Sequence, residues 1–155
     1  MPARFVRLLF SAAVALVAAV PSSYAADLDM TVLSYKLPAD VQWRESPALP
    51  GNRQAVLYGD PSKPGPYVVR NWFKAGNFSR PHFHPNGRFI VVLSGTWWIG
   101  TGEKFDPNNT QPMTPGSFVV HYGGKVHYDG AKDEDCVVEI YGMGPATSTP
   151  AGGAR

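Results

Sequence analysis

The sequence predicts an all-β fold in which short antiparallel strands close into a barrel or sandwich. Three observations point there. Glycine and proline number 16 and 15 in 155 residues, well above average usage, which favours turns over helices. The apolar residues of the second half fall in short runs separated by Gly, Pro, Asn and Asp, the punctuation of consecutive strands. No segment beyond Ala25 keeps a helical period of apolar residues over three turns.

The N-terminal segment MPARFVRLLFSAAVALVAAVPSSYA has a basic start, a predominantly apolar run from Leu8 to Val20, a proline break and small residues at Ser23 and Ala25. This is the pattern of a secretory signal peptide, residues 1–25, with cleavage expected after Ala25. The apolar run falls short of the roughly 20 residues that span hydrocarbon. The expected location is therefore periplasmic or secreted, with no membrane association after cleavage. The formal charge is +2, and Arg4 and Arg7 carry that surplus, so the mature chain is near neutral. That gives no electrostatic case for a nucleic acid or anionic membrane partner. Cys136 is the only cysteine; an intramolecular disulfide is excluded, and within CVVEIY it reads as a small buried hydrophobe.

The remaining length suits one domain with one core, expected over residues 26–145. Residues Ala26 to Pro50 form a polar, proline-punctuated lead-in with one expected strand at Thr31 to Tyr35. Further strands are expected at Gln54 to Tyr58, Tyr67 to Phe73, Arg88 to Ser94, Thr96 to Gly100, Ser117 to Tyr122 and Val137 to Tyr141. Trp97 and Trp98 adjoin on one strand and so face opposite sides, one towards the core. Thr101 to Pro115 reads as a polar connecting loop. The C-terminal stretch lacks core-forming residues, and residues 146–155 are expected to be a mobile tail.

All four histidines fall in two short windows, PHFHP with His82 and His84, and HYGGKVH with His121 and His127. Strand side chains alternate faces, so His82 and His84 project to the same side and can share one ligand. Neutral imidazole suits first-row divalent metals, and His127 is the natural donor from a distant segment. Two histidines on a strand edge would satisfy the same spacing, so the pair alone does not decide.

The residues around them add more. One motif runs Gly76, five residues, His82-Phe83-His84, three residues, Arg88, six residues, Gly95; a second runs Gly116, five residues, Tyr122-Gly123-Gly124, two residues, His127. In order and spacing this resembles the paired motifs of the cupin superfamily, over roughly Ala75 to Gly130. The GTWWIGTGEKFD segment and the closing GxGP are similar to those of small exported bacterial single-domain cupins. The resemblance implies a double-stranded β-helix, or jelly-roll, barrel with a divalent transition metal (Fe, Mn, Ni, Cu or Zn) held inside by His82, His84 and His127. It also makes a homodimer an expectation.

One position departs from the family pattern. Metal-binding cupins usually carry a glutamate ligand where this chain has Arg88. A guanidinium has no lone pair to donate and stays charged. Three accounts are open. Arg88 clamps the anionic group of a substrate, as its bidentate geometry favours; His121, whose strand parity with Val119 points it inward, becomes a fourth ligand or supports the others by hydrogen bonding; or the site is degenerate. Arg88 could also turn outward and pair with Asp129 or Glu103. The resemblance then implies an exported metal-dependent cupin acting on a small organic acid, oxygenase, isomerase or lyase in type. The alternative is a module that captures a small ligand or metal without turnover, since only Tyr128 and Asp129 beside His127 offer a further acid or base.

Overall fold

The computed structural model describes residues 26–46 and 48–152; the expected signal peptide lies outside the described residues. The chain divides into a short unit ending at Tyr35 and a main unit beginning at Lys36. In the short unit the strand expected at Thr31 to Tyr35 does not form. The Asp29 carboxylate accepts hydrogen bonds from the Thr31 N–H at 2.9 Å and the Thr31 hydroxyl at 2.7 Å, and the Val32 N–H donates to the Asp29 carbonyl. An aspartate that captures backbone donors two residues on makes a turn of what its β-branched neighbours would otherwise extend.

The main unit opens with one 3₁₀ turn, Pro38–Asp40, and continues as eleven strands among the described residues. These are β1 (Arg44–Glu45), β2 (Arg53–Tyr58), β3 (Gly65–Phe73), β4 (His82–Phe83), β5 (Arg88–Ser94), β6 (Trp97–Thr101), β7 (Gln111–Met113), β8 (Phe118–His121), β9 (His127–Gly130), β10 (Cys136–Gly144) and β11 (Thr149–Pro150). They form two antiparallel sheets, one of order β1-β2-β3-β10-β5-β8 and one of order β11-β4-β9-β6-β7. The six expected strands of the main unit all occur, within a few residues at their ends.

Alternation fixes which side of each strand is buried. Ile90 and Val92 on β5, Val138 and Ile140 on β10, and Tyr67, Val69 and Phe73 on β3 form the inner face, with Trp97 from the second sheet beneath them. Fully burying each such aliphatic side chain stabilises the fold by about 1.5–3 kcal/mol. Trp97 is 1 % exposed, whereas Trp98 faces outward with the Lys132 ammonium 3.7 Å from its ring centre. Cys136 is buried at the start of β10 as expected. The β5–β6 turn needs Gly95: its φ is +65°, and a Cβ there would collide with the Asp135 carbonyl.

The expectation of a mobile tail from residue 146 is corrected through residue 152. Ala146 packs against the core and its N–H donates to the Pro61 carbonyl at 2.7 Å. Thr149 and Pro150 pair with Phe83 and His82 as β11, and the Ala151 N–H donates to the Pro81 carbonyl. The segment has no core of its own but finds backbone partners on β4 and the β2–β3 loop. A strand held by main-chain bonds leaves little trace in side-chain pattern.

Candidate metal centre

The two histidine windows meet because their strands and turns pair. His82 on β4 lies directly opposite His127 on β9. The Gly124 N–H donates to the His84 carbonyl at 2.7 Å, docking the Gly123-Gly124 turn just past the end of β4. A Cβ on Gly123 would sit 2.5 Å from the Pro85 carbonyl oxygen, so only glycine permits that approach. Arg88 on β5 is the direct cross-strand partner of His121 on β8, and directly opposed residues project to one face.

The hydrogen bonds settle which ring nitrogen of each histidine is free. Nδ1 of His82 donates to the Arg80 carbonyl at 2.7 Å, Nδ1 of His84 to the Thr147 carbonyl at 2.8 Å, and Nδ1 of His127 to the Lys125 carbonyl at 3.0 Å. A carbonyl only accepts, so in each neutral ring the proton sits on Nδ1 and Nε2 keeps its lone pair. This is the support that fixes the orientation and basicity of metal-ligating imidazoles. Ligand atoms of His82, His84 and His127 lie within 4.8 Å of one another. Nε2 of His82 and Nε2 of His84 stand 3.1 Å apart, close to the roughly 3.0–3.4 Å between two nitrogens each about 2.1 Å from one ion. Two bare lone pairs at that separation repel unless a cation or donor lies against them. The donor set fits a first-row divalent ion.

Burial governs the charge of these groups. It pushes His84 and His121 each down to about 3, helped at His84 chiefly by the Arg88 charge and at His121 by His127. His127 is lowered too, again mainly by burial. The rings are therefore neutral near pH 7, the state in which imidazole ligates.

Arg88 points into the barrel. One of its terminal nitrogens lies in close contact with Nε2 of His84, and its Nε is buried without a partner. Burial lowers its pKa, with Asp129 and Tyr67 as the groups that offset the loss. The outward pairing with Asp129 or Glu103 does not occur: Asp129 is itself inside, 5 % exposed. The Asp129 carboxylate accepts from the Ser79 hydroxyl at 2.6 Å. Burial opposes its ionisation, but His82, His127, His121 and Ser79 outweigh that and hold it below the usual carboxylate range. His121 is 7 % exposed, packed between the tilted rings of Trp97 and His127, and neither ring nitrogen has a partner. Ligand atoms of His121, His127 and Asp129 also lie within 4.8 Å of one another.

A cavity of about 550 Å³ opens onto this cluster. Its inner end carries His82, His84, Arg88 and Asp129, and its walls include Tyr67, Val69, Phe73 and Ile140. The C-terminal segment closes one side through Ala146, Thr147 and Pro150.

Two antiparallel sheets facing one another, with histidines from two motifs meeting inside, define the architecture. The polyketide cyclase RemF from Streptomyces resistomycificus superposes with a TM-score of 0.65 at 16% identity, over 79% of this chain and 88% of that one. The cupin-2 domain protein Rru_A2000 from Rhodospirillum rubrum matches with a TM-score of 0.56 at 16% identity, over 76% and 78%. The chain has the cupin fold. The DMSP lyase DddQ from Ruegeria pomeroyi shares it, with a TM-score of 0.57 at 18% identity over 74% of this chain and 64% of that one. No family model matches the sequence, and no curated protein does.

The sequence singles out His82, His84, His127, Arg88 and His121, and the structure brings these five side chains close to one another. Sequence reasoning missed Tyr67, which alternation on β3 would have placed inside, and the place of Asp129 beside the histidines. The signal for Asp129 was its spacing of two from His127, the same argument that joined His82 to His84. The Thr147 carbonyl has no side-chain signal at all.

Proposed function

We propose that this chain is an exported, metal-dependent cupin that binds a small organic acid and acts on it at a histidine-held divalent ion. The observation that carries this reading is the set of three imidazoles whose Nδ1 protons are all committed to backbone carbonyls and whose ligand atoms lie within 4.8 Å of one another, the Nε2 of His84 being met by the Arg88 guanidinium. The cavity suits a molecule of modest size: its walls are mostly apolar, and of the three arginines that line it Arg53 and Arg80 are exposed while Arg88 is the one turned towards the histidines.

Arg88 is the anion-holding residue. Its buried, unpartnered Nε is a donor awaiting an acceptor, and a carboxylate is the acceptor that matches a guanidinium edge. Binding such an anion draws the guanidinium off His84, freeing the third Nε2. Tyr67, beside the guanidinium, and the apolar walls orient the acid and exclude water. Asp129, held by Ser79, is placed to accept a proton at the inner end of the cavity. When bound, a first-row ion would supply Lewis-acid polarisation and open coordination positions. RemF is a polyketide cyclase and DddQ a DMSP lyase, so the fold carries cyclase and lyase chemistry elsewhere, and lyase, isomerase or oxygenase chemistry on an organic acid is the reading proposed for this chain. Residues 1–25, read as a signal peptide, carry the proposal of export.

The test is the visible spectrum of the Co(II)-loaded mature chain titrated with a panel of small carboxylates. Saturable spectral changes are expected in the wild type and not in Arg88→Met, and product formation under the same conditions separates turnover from capture. A cobalt spectrum indifferent to every carboxylate would refute the anion-binding role.

A further inference from the structure

Two overlapping ligand sets share His127, and the structure treats them differently. In the first, His82, His84 and His127, the lone pair of His84 is taken by a terminal nitrogen of Arg88. An ion there would also face that guanidinium with no anionic ligand between them. In the second, His121, His127 and Asp129, every ligand atom is buried and none is contacted by a cationic side chain among the hydrogen bonds of the described residues. His127 Nε2 has no partner, and neither nitrogen of His121 has one although the residue is 93 % buried, the complement of its 7 % exposure. A neutral imidazole offers one donor and one acceptor, and leaving both unmet inside a protein is costly unless something fills the space. Asp129 is locked to Ser79 by three bonds: its carboxylate accepts from the Ser79 hydroxyl, its carbonyl accepts from the Ser79 N–H at 2.8 Å, and its own N–H donates to the Ser79 hydroxyl oxygen at 2.9 Å.

We propose that His121, His127 and Asp129 form a second seat for a divalent first-row ion, occupied in place of the three-histidine seat while Arg88 lies on His84. Two histidines and one carboxylate are a facial set suited to Fe(II), Mn(II) or Co(II). The carboxylate supplies the negative charge that the Arg88 position no longer provides. The seat reaches the cavity only through Asp129, since His121 and His127 do not line it, whereas the other set presents both His82 and His84 there. The two seats are alternatives, since both require the single Nε2 lone pair of His127. This rests on the reading of the chain as a metal-binding cupin, and it adds a consequence: an organic acid that draws Arg88 away from His84 opens the three-histidine seat and brings the ion to the cavity.

The experiment uses Co(II) alone, in carboxylate-free buffer, with the mature metal-free wild type, the His82→Ala, His84→Ala double variant and Asp129→Asn. The double variant is expected to bind one Co(II) within about tenfold of wild-type affinity, with X-ray absorption fitted by two imidazoles and a carboxylate oxygen. Asp129→Asn, whose side-chain oxygen still accepts from Ser79, is expected to bind more than tenfold more weakly with unchanged near-UV circular dichroism. A double variant that takes up no cobalt while Asp129→Asn binds normally overturns the second seat and leaves the three-histidine reading intact. Wild type that takes up no cobalt overturns both. Should Asp129→Asn fail to fold, the ligand count in the double variant decides alone.

Discussion

Ending the chain after Gly144 removes the segment that the sequence marks as a dispensable tail and the structure uses as a strap. The truncation deletes the Ala146 N–H to Pro61 bond at 2.7 Å, the Ala151 N–H to Pro81 bond at 2.9 Å and the acceptor of the His84 Nδ1 proton at Thr147. Each hydrogen bond contributes a net 0.5–1.5 kcal/mol or so, and a half-buried donor left without its acceptor costs about 1–3 kcal/mol. The two backbone bonds, at their net values, give a loss of about 1–3 kcal/mol, or roughly 4–12 °C in Tm for a domain of this size. The core cluster other than Ala146 lies upstream, so the truncated chain is expected to fold. Urea unfolding of the two forms side by side measures the difference as a shift in midpoint at constant slope. Thr147→Val keeps the carbonyl and is expected to behave as wild type. Identical midpoints for full-length and truncated chains would refute the strap.

Three further outcomes follow from the same structure. His84 and His121 are held at about 3 in the fold by burial against about 6.5 in the unfolded chain. The unfolded state alone takes up their protons in that window, so metal-free protein should lose stability as pH falls from about 6.5 towards 3, by up to about 1.4 kcal/mol per pH unit for each group; chemical denaturation at pH 7 and pH 5 that gave equal stabilities would contradict this. Gly123→Ala drives a Cβ against the Pro85 carbonyl at 2.5 Å and should cost about 1–3 kcal/mol, seen as a lowered Tm; an unchanged Tm would mean the turn does not dock as described. Burial pushes the Cys136 thiol up to about 12, so it should resist an aromatic disulfide reagent in native buffer and react fully in urea, whereas rapid native reaction would place it outside the core.

The strands that alternate apolar and polar residues were legible because a sheet with one buried face imposes a period of two. Ile90 and Val92 inside, Phe89 and Leu93 outside, are an instance. Strands β4, β9 and β11 were not legible: HF, HYDG and TP carry no such period, and β9 is buried along its whole length. Their places are set by long-range pairing with one another. The histidines were legible because spacing on a strand translates directly into direction. The inward turn of Arg88 carried the same signal, since it stands two residues before Ile90 on β5, although a long charged side chain at a strand end can also pair outward; what it meets inside was not legible, because its direct opposition to His121 across β5 and β8 is a matter of register, and register between strands that far apart is not written in either one.

The account stands most directly on metal content. Elemental analysis of the mature chain, purified without affinity tag or chelator, should give close to one equivalent of Fe, Mn, Ni, Cu or Zn, and His127→Ala, which removes the ligand common to both sets, should be empty. Wild-type protein that stays metal-free after reconstitution, or a His127→Ala variant that keeps its ion, would contradict the account.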